Sequence, residues 1–388
     1  MKVVILADKN ARASIAVIRS LSAAKVPFRI ALSLGTDRDF RLSFVRYLSG
    51  DLYQHELLVY DDSDSVKFID SLLEFQEKIG PYILFPSGEQ VLRWAIAKKD
   101  ELYAQNIILP TVDLNIYQAV SDKFQFVKLV KRFGLDTPKE YAEIPKVFTE
   151  RFVVKPVRGV WGDTSVLQRP VLVESPESLV ALHNWKLDRN SHFIQEYIEG
   201  PSLYYCALYN QGDKQLCFTQ QTVVQQPGGM SVVKAVPAEL PKSVIVNIDA
   251  MMAYLEWHGI MMIEVKRVKG KYYAIECNPR LWGPLQLAVD NGVDFPYALW
   301  KLSINQAVPP ARPPSQPVGY LWFIGFLHGY LLKWQTRSAF QIYSYPNKDI
   351  TFRDVWLRRD SFRFVFVEFL TIFMRALRML LGGVSNRA

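Results

Sequence analysis

The stretch Met261-Met262-Ile263-Glu264-Val265-Lys266-Arg267-Val268-Lys269-Gly270-Lys271-Tyr272-Tyr273-Ala274-Ile275-Glu276-Cys277-Asn278-Pro279-Arg280 reads as a β-hairpin. Its two apolar runs, Met261 to Val268 and Lys271 to Glu276, meet at Val268-Lys269-Gly270-Lys271, a tight-turn sequence. Each run carries one central acid, Glu264 or Glu276. Paired strands lie about 5 Å apart, so the two carboxylates can share one face. Asn278 and Arg280 follow Glu276 at two-residue steps and point to that same face. Two carboxylates and an amide oxygen form a hard oxygen cluster. Such a cluster suits Mg2+, with Mn2+ as the alternative, and leaves coordination positions for phosphate oxygens. Without a cation, like carboxylates this close repel. The competing reading is an ordinary exposed strand face, and the apolar flanks Met261-Met262-Ile263 and Tyr272-Tyr273-Ala274-Ile275 argue against it.

Upstream, Phe152-Val153-Val154-Lys155-Pro156 is an apolar strand that ends in a lysine. A buried lysine there requires an anion. The loop Val157 to Ser165 follows, with Gly159 and Gly162, whose backbone N–H groups can approach phosphate closely. His192 to Ile198 is the next strand candidate, and its end, Gln195-Glu196-Tyr197-Ile198-Glu199-Gly200, reads as an extended hinge. Such a hinge suits an adenine edge on its backbone and ribose hydroxyls on a carboxylate. Lys123, in Ser121-Asp122-Lys123, reads in isolation as a solvated lysine on a helix from Asn115 to Phe133. Antiparallel strands are expected at Leu203 to Tyr209 and Gln215 to Val224.

Outward from this centre the N-terminal pattern changes. Strand-like runs at Val3–Leu6, Phe28–Leu32, Leu57–Tyr60 and Tyr82–Phe85 alternate with helical periodicity at Ala11–Ala24 and Ser65–Lys78. That alternation predicts a parallel α/β sheet. The first turn, Ala7-Asp8-Lys9-Asn10-Ala11, lacks the GxGxxG glycines of a dinucleotide site. Glu89 follows the last of these strands, either at a ligand-facing strand end or in the first turn of a helix.

The chain has 388 residues, 49% of them hydrophobic and 22% charged, which excludes a disordered, collagen-like or disulfide-scaffold protein. Three widely spaced cysteines suit a reducing compartment, and the expected location is cytoplasmic. The N-terminal apolar run is too short for a signal-peptide core, and no apolar run of about 18 residues suggests a span. Residues 311–388 hold 11 Lys/Arg against 4 Asp/Glu and so carry most of the net charge of +8. A near-neutral body argues against nucleic acid as a partner. Beyond the Pro-rich linker Val308–Pro314, the basic, aromatic C-terminal region supports two readings. One is a surface against an anionic membrane at its inner face. The other is a helical subdomain packed on the body.

Taken in order, Ser121-Asp122-Lys123, Val153-Val154-Lys155-Pro156, the Gly159/Gly162 loop, Gln195 to Gly200, Glu264 and Glu276-Cys277-Asn278-Pro279-Arg280 resemble the ATP-grasp superfamily. Asn278-Pro279-Arg280-Leu281-Trp282-Gly283, Asn291-Gly292-Val293-Asp294-Phe295-Pro296 and His258-Gly259 resemble its predicted ATP-dependent carboligase, or carboxylate–amine ligase, branch. The resemblance implies an α/β (α+β) protein with an ATP-grasp fold. It would have a Rossmann-like parallel α/β domain at residues 1–112 and an ATP-grasp domain at residues 113–307. The latter would divide into a small lobe near 140–200 and a metal-binding lobe near 201–307. A helical, basic extension would follow at 308–388.

The resemblance also implies roles. Lys123 and Lys155 would contact ATP phosphates, under a mobile loop from Gly159 through Gly162 to Ser165. Glu196 and Ile198 would offer backbone to adenine, and Glu199 would meet ribose. Glu264, Glu276 and Asn278 would hold Mg2+, and Arg280 would stabilise the transferred phosphoryl group. Many relatives place a Glu two residues after the hinge glycine, where this chain has Ser202. The implied activity joins a carboxylate, small or carried on a glycan or lipid, to an amine at the expense of ATP. Phosphotransfer and nucleotide binding without turnover are the alternatives. Glu89, His258 and Lys234 are candidate substrate contacts, and Cys277, facing away from Glu276, is expected to be structural.

Overall fold

The computed structural model describes residues 1–7, 11–35, 57–157, 170–183, 192–229, 231–336, 339–346, 349–361, 366, 369, 370 and 373. The chain forms two compact units. One comprises Met1–Pro110, Gln220–Ala238 and Leu281–Ala388, the other Thr111–Thr219 and Glu239–Arg280. Residues 220–238 and 281–307, expected within the central domain, group with the N-terminal unit.

The first unit is built on five parallel strands in the order β3-β2-β1-β4-β5. They are β1 (Lys2–Ala7), β2 (Phe28–Ser33), β3 (Leu58–Tyr60), β4 (Tyr82–Pro86) and β5 (Ile107–Ile108). Val3 to Ala7 is wholly buried, as expected of a central strand covered on both faces. Helices Ala11–Ala23, Ser65–Ile79 and Glu89–Ala97 connect the strands. In the second of these, Phe68, Ile69, Leu72 and Phe75 fall on one buried stripe. Asp64 caps its start by accepting from Lys67 N, and Gly80, at φ 73°, ends it.

The second unit holds a small antiparallel sheet in the order β6-β9-β7-β8. Its strands are β6 (Glu140–Tyr141), β7 (Phe152–Pro156), β8 (Val171–Val173) and β9 (His192–Glu196). Leu179 and Leu182 of helix Pro176–His183 close its core with Phe152, Val154, Val173 and Ile194. Beside it run β10 (Ser202–Asn210), the start of β11 (Asp213–Gln225), β13 (Gly259–Val268) and β14 (Lys271–Asn278), in the order β14-β13-β10-β11. The β13–β14 hairpin is the one read from sequence. Lys269 and Gly270 both take positive φ, 48° and 79°, as a two-residue type I′ turn requires.

Strand β11 continues into the first unit, where Gln220 to Gln225 pair with β12 (Val232–Pro237). The region beyond residue 308 departs from the expected helical extension. It contains the helix Phe323–Thr336, but also β15 (Val318–Leu321), β16 (Gln341–Ile342) and β17 (Thr351–Asp354). Here β15 pairs with β12, β17 with β15, and β16 with β11. The sequence Val318-Gly319-Tyr320-Leu321 is too short to read as a strand alone, and Gly319 explains its fit. A Cβ there would lie 2.5 Å from the Phe352 ring on β17.

The segment Asn291–Pro296 locks this arrangement. The buried Asn291 amide donates to Leu287 O (2.7 Å) and Val318 O (2.9 Å), and its oxygen accepts from Val318 N (3.0 Å). Gly292, at φ 78°, has no room for a side chain, since a Cβ would meet Arg312 O at 1.9 Å. Asp294 caps helix Phe295–Ser303 through Tyr297 N and accepts from Ser20 Oγ at 2.5 Å. Arg19 reaches Val355 O, Gln286 and the Asp360 carboxylate, tying residues 355–360 to the first helix.

Replacing Asn291 by Ala strands the buried N–H and C=O of Val318 and should cost roughly 2–4 kcal/mol. A urea titration followed by tryptophan fluorescence should show the first unit of Asn291→Ala unfolding at clearly lower denaturant. An unchanged midpoint would mean that this bridge does not hold β15.

Candidate active site

The hairpin register places Glu264 directly opposite Glu276 and Met262 opposite Asn278. Glu264, Glu276 and Asn278 therefore share one face. Ile263 and Cys277 point to the other and are buried, where burial pushes the Cys277 thiol far up. Cys277 thus faces away from Glu276, as the two-residue period predicts. A bulge between Glu264 and Val265 breaks the pairing, so that Val265 opposes Ala274. Such a bulge re-aims side chains locally. Asn278 Nδ2 donates to Glu276 Oε1 at 2.9 Å, which leaves the amide oxygen of Asn278 to act as a ligand.

Four cations act on this acidic pair. Lys155 and Lys266 act on Glu264. Lys123, Lys155 and Arg280 act on Glu276. The balance splits the two carboxyls. Burial and the facing Glu276 raise Glu264 above the usual carboxylate range, against the pull of Lys266, Ser202 and Lys155. Burial also opposes ionisation of Glu276, but Lys123, Lys155, the Asn278 amide and Arg280 outweigh it and hold this carboxyl below that range. Four cations against two carboxylates leave an excess of positive charge, which suits a polyphosphate bound with a divalent cation.

Each cation is placed by local structure. Lys155, at the end of β7, is only 8% exposed and donates to Gln195 Oε1 at 3.3 Å. Burial lowers its pKa, while Glu276 and Glu264 oppose that shift. The single helix expected from Asn115 to Phe133 is two helices, Leu114–Ser121 and Lys123–Arg132. Asp122 separates them, at φ −80° and ψ 125°, and its carboxylate accepts from Phe124 N and Gln125 N, each at 3.1 Å. This N-cap puts Lys123 at the first position of the new helix instead of within a solvated one. Lys123 N–H donates to Val157 O at 3.5 Å, at the end of the Lys155 strand segment. Arg280 follows the hairpin directly, with its N–H on Asn278 O at 2.9 Å.

Gln195 is 1% exposed, and its Nε2 is buried without a hydrogen-bond partner among the described residues. At the hinge, Glu196 N–H donates to Lys139 O (2.8 Å) and Tyr197 N–H to Arg151 O (3.0 Å). The N–H of Glu196 is thus committed within the small sheet, so any adenine contact from Glu196 must come from its carbonyl. Ile198 is buried beyond it. The Glu199 side chain is largely exposed and paired with Arg151. Gly159, Gly162 and Ser165 lie outside the described residues.

Three contributors escaped the sequence reading. Ser202 Oγ donates to Glu264 Oε1 at 2.6 Å, so this serine supports one of the two facing carboxylates. Lys266 Nζ donates to Gly200 O at 3.1 Å and links β13 to the hinge. Its signal was the two-residue step from Glu264, which puts both on one face. Gln195 is the third, and only its place beside Glu196 marked it.

The remaining candidates are Glu89, Lys234 and His258. Glu89 is the first residue of helix Glu89–Ala97 and pairs with Arg93 at 3.3 Å. That is the helix-turn alternative of its two readings. Lys234 lies on β12 in the first unit, 3.8 Å above the Phe352 ring. His258 is half-buried between buried Trp257 and the start of β13.

The described residues hold no cluster of three His, Cys, Asp or Glu. The donors at the hairpin are two carboxylates and an amide oxygen. That set fits Mg2+, which is held by one or two carboxylates together with substrate phosphates.

A model of the ATP-grasp domain family matches residues 120–284, a span that contains every described member of this cluster. No curated protein matches the sequence. Among solved structures the fold is shared with N5-carboxyaminoimidazole ribonucleotide synthetase in its ADP complex, at 14% identity and a TM-score of 0.60, over 87% of this chain and 85% of that one. It is also shared with biotin carboxylase from Campylobacter jejuni in a β,γ-ATP complex, at 13% identity and a TM-score of 0.57, over 80% and 72%. L-amino acid ligase from Bacillus licheniformis is a third, at 16% identity and a TM-score of 0.55, over 80% and 77%. The hairpin carboxylates, the strand-end lysine and the capped helix bearing Lys123 all lie within residues 120–284, the stretch that matches the ATP-grasp domain family.

Proposed function

We propose that the protein is an ATP-dependent ligase. It activates a carboxylate as an acyl phosphate and joins it to an amine, releasing ADP and phosphate. The observation that carries this reading is the pairing of Glu264 and Glu276 beside Asn278, with Lys123, Lys155 and Arg280 acting on Glu276. The solved structures that share the fold include a ligase, a synthetase and a carboxylase, which supports the class.

A substrate carboxylate oxygen attacks the γ-phosphorus, and the bond to the β,γ-bridging oxygen breaks with ADP as leaving group. An amine then attacks the acyl carbon, loses a proton and expels phosphate. Glu264, Glu276 and the Asn278 oxygen would hold Mg2+, which would offset charge between the β- and γ-phosphates. Lys123 and Lys155 bind phosphate oxygens. Arg280 faces the transferred phosphoryl group, where charge spreads in the transition state. The Glu196 carbonyl and Ile198 backbone receive adenine, and Glu199 turns from Arg151 to ribose. No covalent protein nucleophile is needed, because positioning and charge neutralisation supply the catalysis.

Three outcomes follow from these roles. Hydroxylamine replaces the amine in a screen of carboxylates. A productive carboxylate should yield a hydroxamate with ADP and phosphate in equal amounts. ADP together with a stable phosphorylated product would establish a phosphotransferase instead.

Lys155→Met should lower turnover by at least ~100-fold, the scale of losing a preorganised charge contact. Activity within about twofold of wild type would remove Lys155 from the site.

Metal binding requires an ionised Glu264, whose carboxyl is raised by burial and by Glu276. Mg2+-dependent ATP affinity should therefore weaken as pH falls, beginning above the usual carboxylate range. In Glu276→Gln the weaker remaining affinity should fall off at lower pH, because one raising influence is gone. Identical midpoints by calorimetry would show that the two carboxyls do not interact.

A further inference from the structure

The two readings of the basic C-terminal region apply to different parts of it. Residues 318–361 are built into the first unit, through β15, β17 and the contacts of Arg19 to Val355, Asp360 and Ser361. Arg358 adds a two-pronged ion pair to Asp290, with Nη1 at 3.0 Å and Nη2 at 2.5 Å from its oxygens. The four residues described beyond 361 differ from these. Phe366, Phe369, Leu370 and Phe373 are helical, yet they are exposed by 62%, 51%, 44% and 57%. Their spacing, i, i+3, i+4 and i+7, puts all four on one helical face. Four large apolar side chains in one exposed stripe mark an interaction surface rather than scattered surface apolar residues.

Charge selects the partner. Residues 362–388 contain Arg363, Arg375, Arg378 and Arg387 against the single acid Glu368. An aromatic stripe with arginines flanking it in sequence matches a helix that lies in the plane of an anionic bilayer, with its rings at acyl depth. A span is not indicated, since no helix among the described residues is long and apolar enough to cross a membrane. A protein groove would not require this cationic excess.

We propose that the stripe of Phe366, Phe369, Leu370 and Phe373 binds the surface of an anionic lipid bilayer and holds the protein there peripherally. This inference is independent of the ligase reading, because it rests on residues outside the ATP-grasp domain.

The test uses the full chain and vesicles of phosphatidylcholine alone, or of phosphatidylcholine and phosphatidylglycerol in equal parts. Sedimentation with the anionic vesicles should exceed that with neutral ones by at least ~10-fold and should decline with salt. Phe369→Ser/Phe373→Ser should lose at least ~10-fold of this binding, because two rings leave the interface. Arg375→Gln/Arg378→Gln should lose roughly 10- to 30-fold on anionic vesicles only, at about 1 kcal/mol for each charge. Circular dichroism spectra and urea midpoints should be unchanged in both variants, which confirms that they are folded. Equal binding to the two vesicle types, or stripe variants that sediment like wild type, would overturn the proposal. So would concentration-dependent dimers abolished by the stripe variant without any vesicle binding, since the stripe would then be a self-association surface.

Discussion

Two carboxylates face each other across one hairpin, and the second unit is organised around the problem this creates. Glu264 and Glu276 occupy opposed positions on β13 and β14, where like charges directly opposite destabilise a sheet. The surrounding structure compensates. Lys123 is delivered by a helix cap, Lys155 by the end of a separate sheet, Lys266 by the same strand and Arg280 by the chain leaving the hairpin. Ser202 and Asn278 each bind one of the carboxylates. A cluster that joins the acidic pair to surplus cations is poised for a ligand that brings both a divalent cation and a polyanion. MgATP is such a ligand, and on the proposed reading that single requirement would account for residues from five separate elements.

The hairpin itself was legible in the sequence because several local signals agreed on it. Apolar runs of strand length flank a Lys-Gly turn, and the acids lie at positions the two-residue period puts on one face. The N-terminal sheet was legible for the same kind of reason, in its alternation of short apolar runs with helical periodicity. Lys155 was readable only as the lysine closing the apolar run Phe152-Val153-Val154, a position that surface lysines also take, and the fold buries it.

What was not legible depended on partners distant in sequence. Helical periodicity runs unbroken through Asp122, so the break appears only when its carboxylate is seen to cap Phe124 and Gln125. Strand β15 is four residues long and exists because Gly319 admits the Phe352 ring and Asn291 binds Val318 on both sides. Those contacts also give a physical reason for Asn291-Gly292-Val293-Asp294, a segment that stood out in the sequence without a role. Each of its polar or glycine members closes a contact that a neighbouring residue type would break. The C-terminal region misled because composition averages over two behaviours. Its first part is a helix with three short paired strands, and its last described part is an exposed aromatic stripe.

The central claim is that the Glu264–Glu276 pair and its cations form an MgATP site, and calorimetry tests it without knowledge of the other substrates. ATP titrated into the wild-type protein with Mg2+ should bind, and binding should weaken at least ~10-fold without the metal. Glu276→Ala, which removes the carboxylate on which Lys123, Lys155 and Arg280 converge, should weaken the Mg2+-dependent binding at least ~10-fold. Folded wild-type protein that binds no ATP, or a Glu276→Ala variant that keeps full Mg2+-dependent affinity, would contradict the account.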